Sequence, residues 1–171
     1  MEEAPARRSV GSRISPSPKD AWLFALAAAV VVADQVAKWV IRQAVDRGEV
    51  WPGDWPVKIV HLTNSGAAFG TLQNAGPLLA VTSIVGMAAI LIYLFNPEFA
   101  HPLMRAGLAS MLGGALGNLI DRLRAGEVVD FIKFPHFPAF NVADSAITIG
   151  VLLMLWAMLL EGDTESNTET S

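Results

Sequence analysis

Four apolar stretches, at residues 21–41, 75–95, 103–120 and 142–160, constrain this chain more than anything else in it. A helix of 18 to 21 residues, the length of each stretch, spans a hydrocarbon layer of about 30 Å at about 1.5 Å of rise per residue. Four transmembrane helices are therefore expected, and an even number of spans leaves both ends of the chain on one side. The first stretch follows a basic segment, as the core of a secretory signal peptide would. Its apolar pattern, however, resumes after Asp34 and Gln35 through Val40 and Ile41, too long for a signal core, so a retained helix is expected.

Composition supports a membrane protein and removes other classes. Of 171 residues, 53% are apolar and only 16% are Asp, Glu, Lys or Arg. Counting glycine in place of the single tyrosine raises the apolar share to roughly 60%, against about 45–50% in soluble domains. A disordered chain and a Glu/Lys-rich coiled coil are excluded on the same ground. The absence of cysteine excludes a disulfide scaffold and a thiolate metal site, and a net charge of −4 argues against a nucleic-acid partner.

The remaining segments are tails and loops. Residues 1–20 carry Pro5, Pro16, Pro18, several serines and the cations Arg7, Arg8, Arg13 and Lys19, and read as a disordered cytoplasmic tail. Residues 161–171 (EGDTESNTETS) read as a second, acidic disordered tail. The domain expected between them, 21–160, is one four-helix unit with loops at 42–74 and 121–141. Five Lys and Arg on the tail side face six opposite, so the count leaves orientation undecided; the four cations before the first helix favour cytoplasmic tails. In the first loop, residues 57–62 are β-prone, and a turn-like Thr63, Asn64, Ser65, Gly66 precedes residues 67–72, so a short hairpin is expected. Trp39, Trp51 and Trp55 suit a membrane interface.

In an up-down bundle, the conspicuous polar residues share one membrane face: Asp34 and Lys38, Asn64, Asn118, Asp121 and Arg122, Asp130, and Asn141 with Asp144. The opposite loop holds only Glu98 as a carboxylate. Ionisable groups at membrane depth are costly and are functional candidates by default. Asp34 and Lys38, four residues apart on one helix, can pair, either to orient the bundle or to take part in chemistry. Ala109, Gly113 and Gly117 recur every fourth residue and would let a neighbouring helix approach closely. For Asp121 and Arg122, a structural network at the helix end is the simpler reading.

Asp130 lies in EVVDFIKF and Asp144 in FNVADSAITIG. Pro135 and Pro138 between them break any continuous helix and let the chain fold back. Two carboxyls held close in a poorly hydrated pocket cannot both stay ionised comfortably, so one shares or keeps a proton near neutral pH. That is the equipment of an aspartic peptidase, in which one carboxylate activates water while its protonated partner supports the carbonyl and then the leaving nitrogen. Simpler alternatives stay open: a helix N-cap for Asp144 and a solvated loop acid for Asp130. Other chemistries leave little trace. His61, His101 and His136 lie far apart without an HExxH helix, and neither a GxSxG elbow nor a Walker loop occurs.

Taken together, DQVAKW at 34–39, NSGAAFG at 64–70, GGALGNLIDRL at 113–123, VVDFI at 128–132 and FNVADSAI at 140–147 resemble the lipoprotein signal peptidases, or signal peptidase II, in that family's order. The resemblance implies an all-α integral membrane protein of four transmembrane helices with a small periplasmic β-cradle. It implies an aspartic endopeptidase of the bacterial inner membrane, with both termini cytoplasmic and the site at the outer leaflet, that cuts diacylglyceryl-modified prolipoproteins just before the lipidated cysteine. On this pattern the catalytic pair falls on Asp130 and Asp144. Asn64, Asn118, Arg122 and Asn141 fall on substrate-binding positions, and Asp34, Lys38 and Asp121 on structural polar support. No metal or organic cofactor is expected. The expected partners are the prolipoprotein and membrane lipids, and the chain is expected to act as a monomer. The segment 131–141 looks short beside some relatives. The rival reading is a small proton-coupled transporter or a non-enzymatic membrane scaffold, but a relay should thread polar groups through the bilayer, whereas here they gather at one face.

Overall fold

The computed structural model describes residues 20–52, 55–66, 76–96, 99 and 101–168. Residues 1–19 of the expected N-terminal tail, Glu98, and the 67–72 stretch expected as a second hairpin strand lie outside the described residues. Four helices form: α1 (Ala21–Ala44), α2 (Gly76–Leu94), α3 (Pro102–Ala125) and α4 (Val142–Thr168). Each is long and apolar enough to cross a membrane. Three strands, β1 (Val50–Trp51), β2 (Lys58–Asn64) and β3 (Val128–Lys133), form an antiparallel sheet in the order β1-β2-β3.

Three expectations need correction. α3 runs to Ala125 rather than 120, which puts Asp121 and Arg122 on the helix instead of in the following loop. Its stop is Gly126 at φ 73°, whose N–H bonds the Arg122 carbonyl at 3.0 Å, and Arg122 and Arg124 in the last turn complement the negative end of the helix dipole. α4 continues through the acidic segment to Thr168, so 161–168 is helical rather than a disordered tail, because extending a formed helix adds one hydrogen bond per residue fixed. Finally, β2 sits at the centre of the sheet, and it is paired with β1 and with the distant β3.

α3 is the buried pillar of the bundle: 56% of its apolar span is buried, against 22%, 11% and 17% for α1, α2 and α4. Its glycines are the reason. A Cβ at Gly113 would lie 2.6 Å from the Ala27 carbonyl oxygen on α1, and one at Gly107 would lie 2.5 Å from that of Gly150 on α4. Small residues at such crossings give helices close van der Waals contact where no hydrophobic force drives them together. One apolar cluster, Leu23, Leu94, Leu108 and Ala109, joins α1, α2 and α3. At the other end, Ile41, Val129 and Phe131 dock the sheet on α1. Trp39, Trp51 and Trp55 are all more than half exposed around this end, as interfacial tryptophans should be.

Candidate active site

The site is assembled where the sheet meets the ends of α1 and α3 and the start of α4. β3 alternates its side chains: Val129 and Phe131 pack on α1, so Asp130 points to the other face, yet remains buried. The β2–β3 register pairs Leu62 with Asp130 and Asn64 with Val128. Asn64 is thus diagonal to Asp130, within reach of a side-chain bond, and its Nδ2 donates to Asp130 Oδ2 at 3.1 Å.

After β3 the chain turns back on itself. Ile132 and Phe140 exchange backbone hydrogen bonds at 2.8 and 3.0 Å, and this return delivers Asn141 to Asp130. Asn141 Nδ2 donates to Asp130 Oδ1 at 2.7 Å. Asn141 also opens α4: its Oδ1 accepts from the Asp144 N–H at 2.9 Å, while Asp144 Oδ2 accepts from the Asn141 N–H at 3.2 Å. That reciprocal pattern is a capping box. The N-cap is therefore Asn141, with Asp144 as its partner one turn on, a correction to the N-cap alternative for Asp144. Its free oxygen, Oδ1, accepts from Asn118 Nδ2 at 2.8 Å. The two carboxylates meet through Asn141.

Beside them lies a fully buried ionic cluster. Lys38 Nζ donates to Asn118 Oδ1 at 2.9 Å and lies 2.8 Å from Asp34 Oδ2 and 3.0 Å from Asp121 Oδ2, so two carboxylates balance the buried ammonium. Asp34 Oδ1 accepts from the Ala143 N–H at 2.9 Å, which satisfies a further free amide at the start of α4. Asn118 links the halves, accepting a hydrogen bond from Lys38 through Oδ1 and donating one to Asp144 through Nδ2. Arg122 leaves Asp121 and donates to Ser83 Oγ on α2 at 3.4 Å. It lines, with Asn118 and Asp144, a cavity of about 300 Å³ between α2, α3 and α4.

Asp130 lies outside the spanning helices. Burial pushes its carboxyl up to about 6; the Asp144 charge adds to the rise, while the amides of Asn64 and Asn141 and the charge of Lys38 restrain it. A carboxyl poised there can hold a proton in one step and release it in the next. Among the described residues no cluster of His, Asp or Glu has the geometry to hold a metal ion.

All nine polar residues singled out from the sequence are thus found at one end of the bundle. Three participants were missed. Arg42 donates to Asp121 Oδ1 at 3.1 Å, and the four-residue step from Asp34 to Lys38 to Arg42 would have revealed it. Gln35 Nε2 donates to the Gly117 carbonyl at 3.1 Å, tying α1 to α3 beside the cluster. Ser83 sits beside Thr82 on an otherwise apolar helix, and no local pattern marks it.

Known proteins are similar to this chain in sequence and in fold. The family described as signal peptidase (SPase) II matches residues 26–160. A lipoprotein signal peptidase of Symbiobacterium thermophilum is 45% identical over 144 residues, covering 80% of this chain and 93% of the relative. One of Pelotomaculum thermopropionicum is 38% identical over 149 residues, covering 86% and 98%. A bacterial membrane enzyme solved by the in meso method at 2.3 Å superposes with a TM-score of 0.76 at 32% identity, over 84% of this chain and 91% of that one. The match takes in the four spans, the sheet, Asp130 and Asp144: the chain belongs to the signal peptidase II family.

Proposed function

We propose that Asp130 and Asp144 are the catalytic pair of an aspartic endopeptidase that removes signal peptides from diacylglyceryl-modified prolipoproteins, cutting before the lipidated cysteine. The observation that carries this reading is the pair's asymmetry. Asp130 is buried with a carboxyl raised to about 6, whereas Asp144 borders an open cavity. One carboxylate takes a proton from water as its oxygen attacks the scissile carbonyl carbon. The other, protonated, donates to the carbonyl oxygen. As the C–N bond breaks, the cysteine nitrogen leaves with a proton from the pair, and the cycle resets.

Arg122, Asn118, Asn141 and Asn64 then serve substrate binding: Arg122 and Asn118 line the cavity beside Asp144, and the three amides hold the carboxylates that meet the peptide. Asp34, Lys38 and Asp121 hold the helix ends in register. The acyl chains fix the peptide at one depth, with each buried methylene worth about 0.8 kcal/mol, so binding becomes positioning. In this reading the enzyme is a monomer in the inner membrane, with both termini cytoplasmic and the site at the outer leaflet.

The test is cleavage of a diacylglyceryl-modified prolipoprotein in lipid by wild type, Asp130→Asn and Asp144→Asn at equal amounts of folded protein. Cleavage before the modified cysteine by wild type, with a loss of about 10³-fold or more in each variant, is expected. Cleavage by all three would place the chemistry elsewhere, and cleavage by none would refute the activity.

A further inference from the structure

Asp144 borders two cavities that differ in chemistry. On the α2–α3 side, the space of about 300 Å³ is edged by Arg122, Asn118, Thr82 and Ser83, and the Arg122 guanidinium has N–H groups to offer beyond its one bond to Ser83. On the opposite side a groove of about 350 Å³ is lined by Phe137, Phe140, Ser145, Thr148 and Ile149. Its two hydroxyls are turned inward. Ser145 Oγ donates to the Asn141 carbonyl at 2.9 Å and Thr148 Oγ1 to the Asp144 carbonyl at 2.9 Å. Both residues therefore present carbon to the groove.

The roof is aromatic. Phe140 stacks on Phe134 with ring centroids 5.9 Å apart and meets Phe137 edge-on at 5.8 Å. Below the roof, the groove continues at Ile149 into an apolar furrow along α4 past Leu152 and Trp156, all three more than half exposed. From Ser145 to Trp156 the helix rises about 16 Å, half of a hydrocarbon core of about 30 Å. That is the depth one acyl chain occupies in a leaflet.

We propose that this groove holds one acyl chain of the substrate's diacylglyceryl group while the peptide backbone occupies the polar cavity, so that Asp144 stands where lipid and peptide part. The assignment rests on the peptidase reading above and extends it to the side from which the lipid is held. Because the chain is already in an apolar medium before it binds, the groove sets its register on the carboxylates more than it adds affinity.

The experiment uses the full chain in lipid with a prolipoprotein peptide whose cysteine carries dipalmitoylglyceryl with a photoreactive diazirine on one chain. Asp130→Asn keeps the peptide uncut during irradiation. Labelling of residues 137–156 is expected; labelling confined to α2, or none on this protein, overturns the groove assignment. Thr148→Trp supplies an independent readout, since Thr148 is exposed and a larger side chain there fills the groove without entering the core. It should lower kcat/KM about tenfold or more on the dipalmitoyl peptide but under about threefold on a dibutanoyl one, because misplacement rather than lost chemistry is at stake. An equal loss on both peptides, or none on either, overturns the proposal. If wild type fails to cut the dipalmitoyl peptide, the peptidase reading itself falls; if it cuts while the label lies elsewhere, only the groove does.

Discussion

Asn64 shows how one side chain can set the chemistry of another. Its amide donates to Asp130 Oδ2 at 3.1 Å, and a donor aimed at a carboxylate favours the ionised form. Without it, Asp130 should hold its proton to higher pH. In wild type, kcat/KM should fall on the alkaline side as the Asp130 carboxyl, raised to about 6, loses the shared proton. Asn64→Ala should move that alkaline limb upward by about one pH unit, since a hydrogen bond to a charged group contributes about 1.5 kcal/mol and one pH unit corresponds to about 1.4 kcal/mol. A pH–rate profile decides it: a lower rate with an unmoved limb would mean that Asn64 touches only substrate. Lys38 illustrates the opposite economy. Its buried charge is tolerated because the carboxylates of Asp34 and Asp121 flank it at 2.8 and 3.0 Å, and removing one partner from such a cluster typically costs about 3–5 kcal/mol.

At the scale of elements, the site depends on how closely α1 and α3 approach. A Cβ at Gly117 would lie 2.7 Å from Asp34 Oδ2, and Asp34 cannot swing aside, because its other oxygen caps α4 at Ala143. Gly117→Ala should therefore push the helices apart, disturb the Lys38 cluster and lower stability by about 1–3 kcal/mol. Gly86 on α2 has nothing within 4 Å of an added Cβ, so Gly86→Ala should leave stability unchanged or raise it by up to about 1 kcal/mol. Denaturant titration of both variants in detergent checks the contrast, and equal destabilisation would mean that helix approach at Gly117 is not limiting. Small residues every fourth position were legible as a packing signal. That Gly117 faces a carboxylate rather than another backbone was not, because the facing residue belongs to a different helix.

For the whole molecule, the polar groups gather at one end while α2 contributes no Asp, Glu, Lys or Arg at all. A proton relay would need such groups across the full thickness of the bilayer. The opposite end is held by an ion pair between Arg105 and Asp20 at 2.7 Å. With no native cysteine, single cysteines can report orientation directly. In spheroplasts, Asp46→Cys should react with a membrane-impermeant maleimide added outside, and Asn96→Cys should react only after permeabilisation. The reverse pattern would invert the orientation argued from the first helix.

The number of spans and the side on which the polar residues collect were written in the chain, because hydrophobic length and helical periodicity are local properties; where α3 and α4 end was not. Tertiary structure decided what those residues do to one another. That β2 pairs with β3 across more than sixty residues, that Asn141 stands between Asp130 and Asp144, and that Asp34 caps a helix more than a hundred residues away depend on contacts between segments that no local pattern encodes. The proton balance of the site follows from the same contacts, since burial and neighbouring charge, the causes that raise Asp130, exist only once the strand, the turn and α4 have come together.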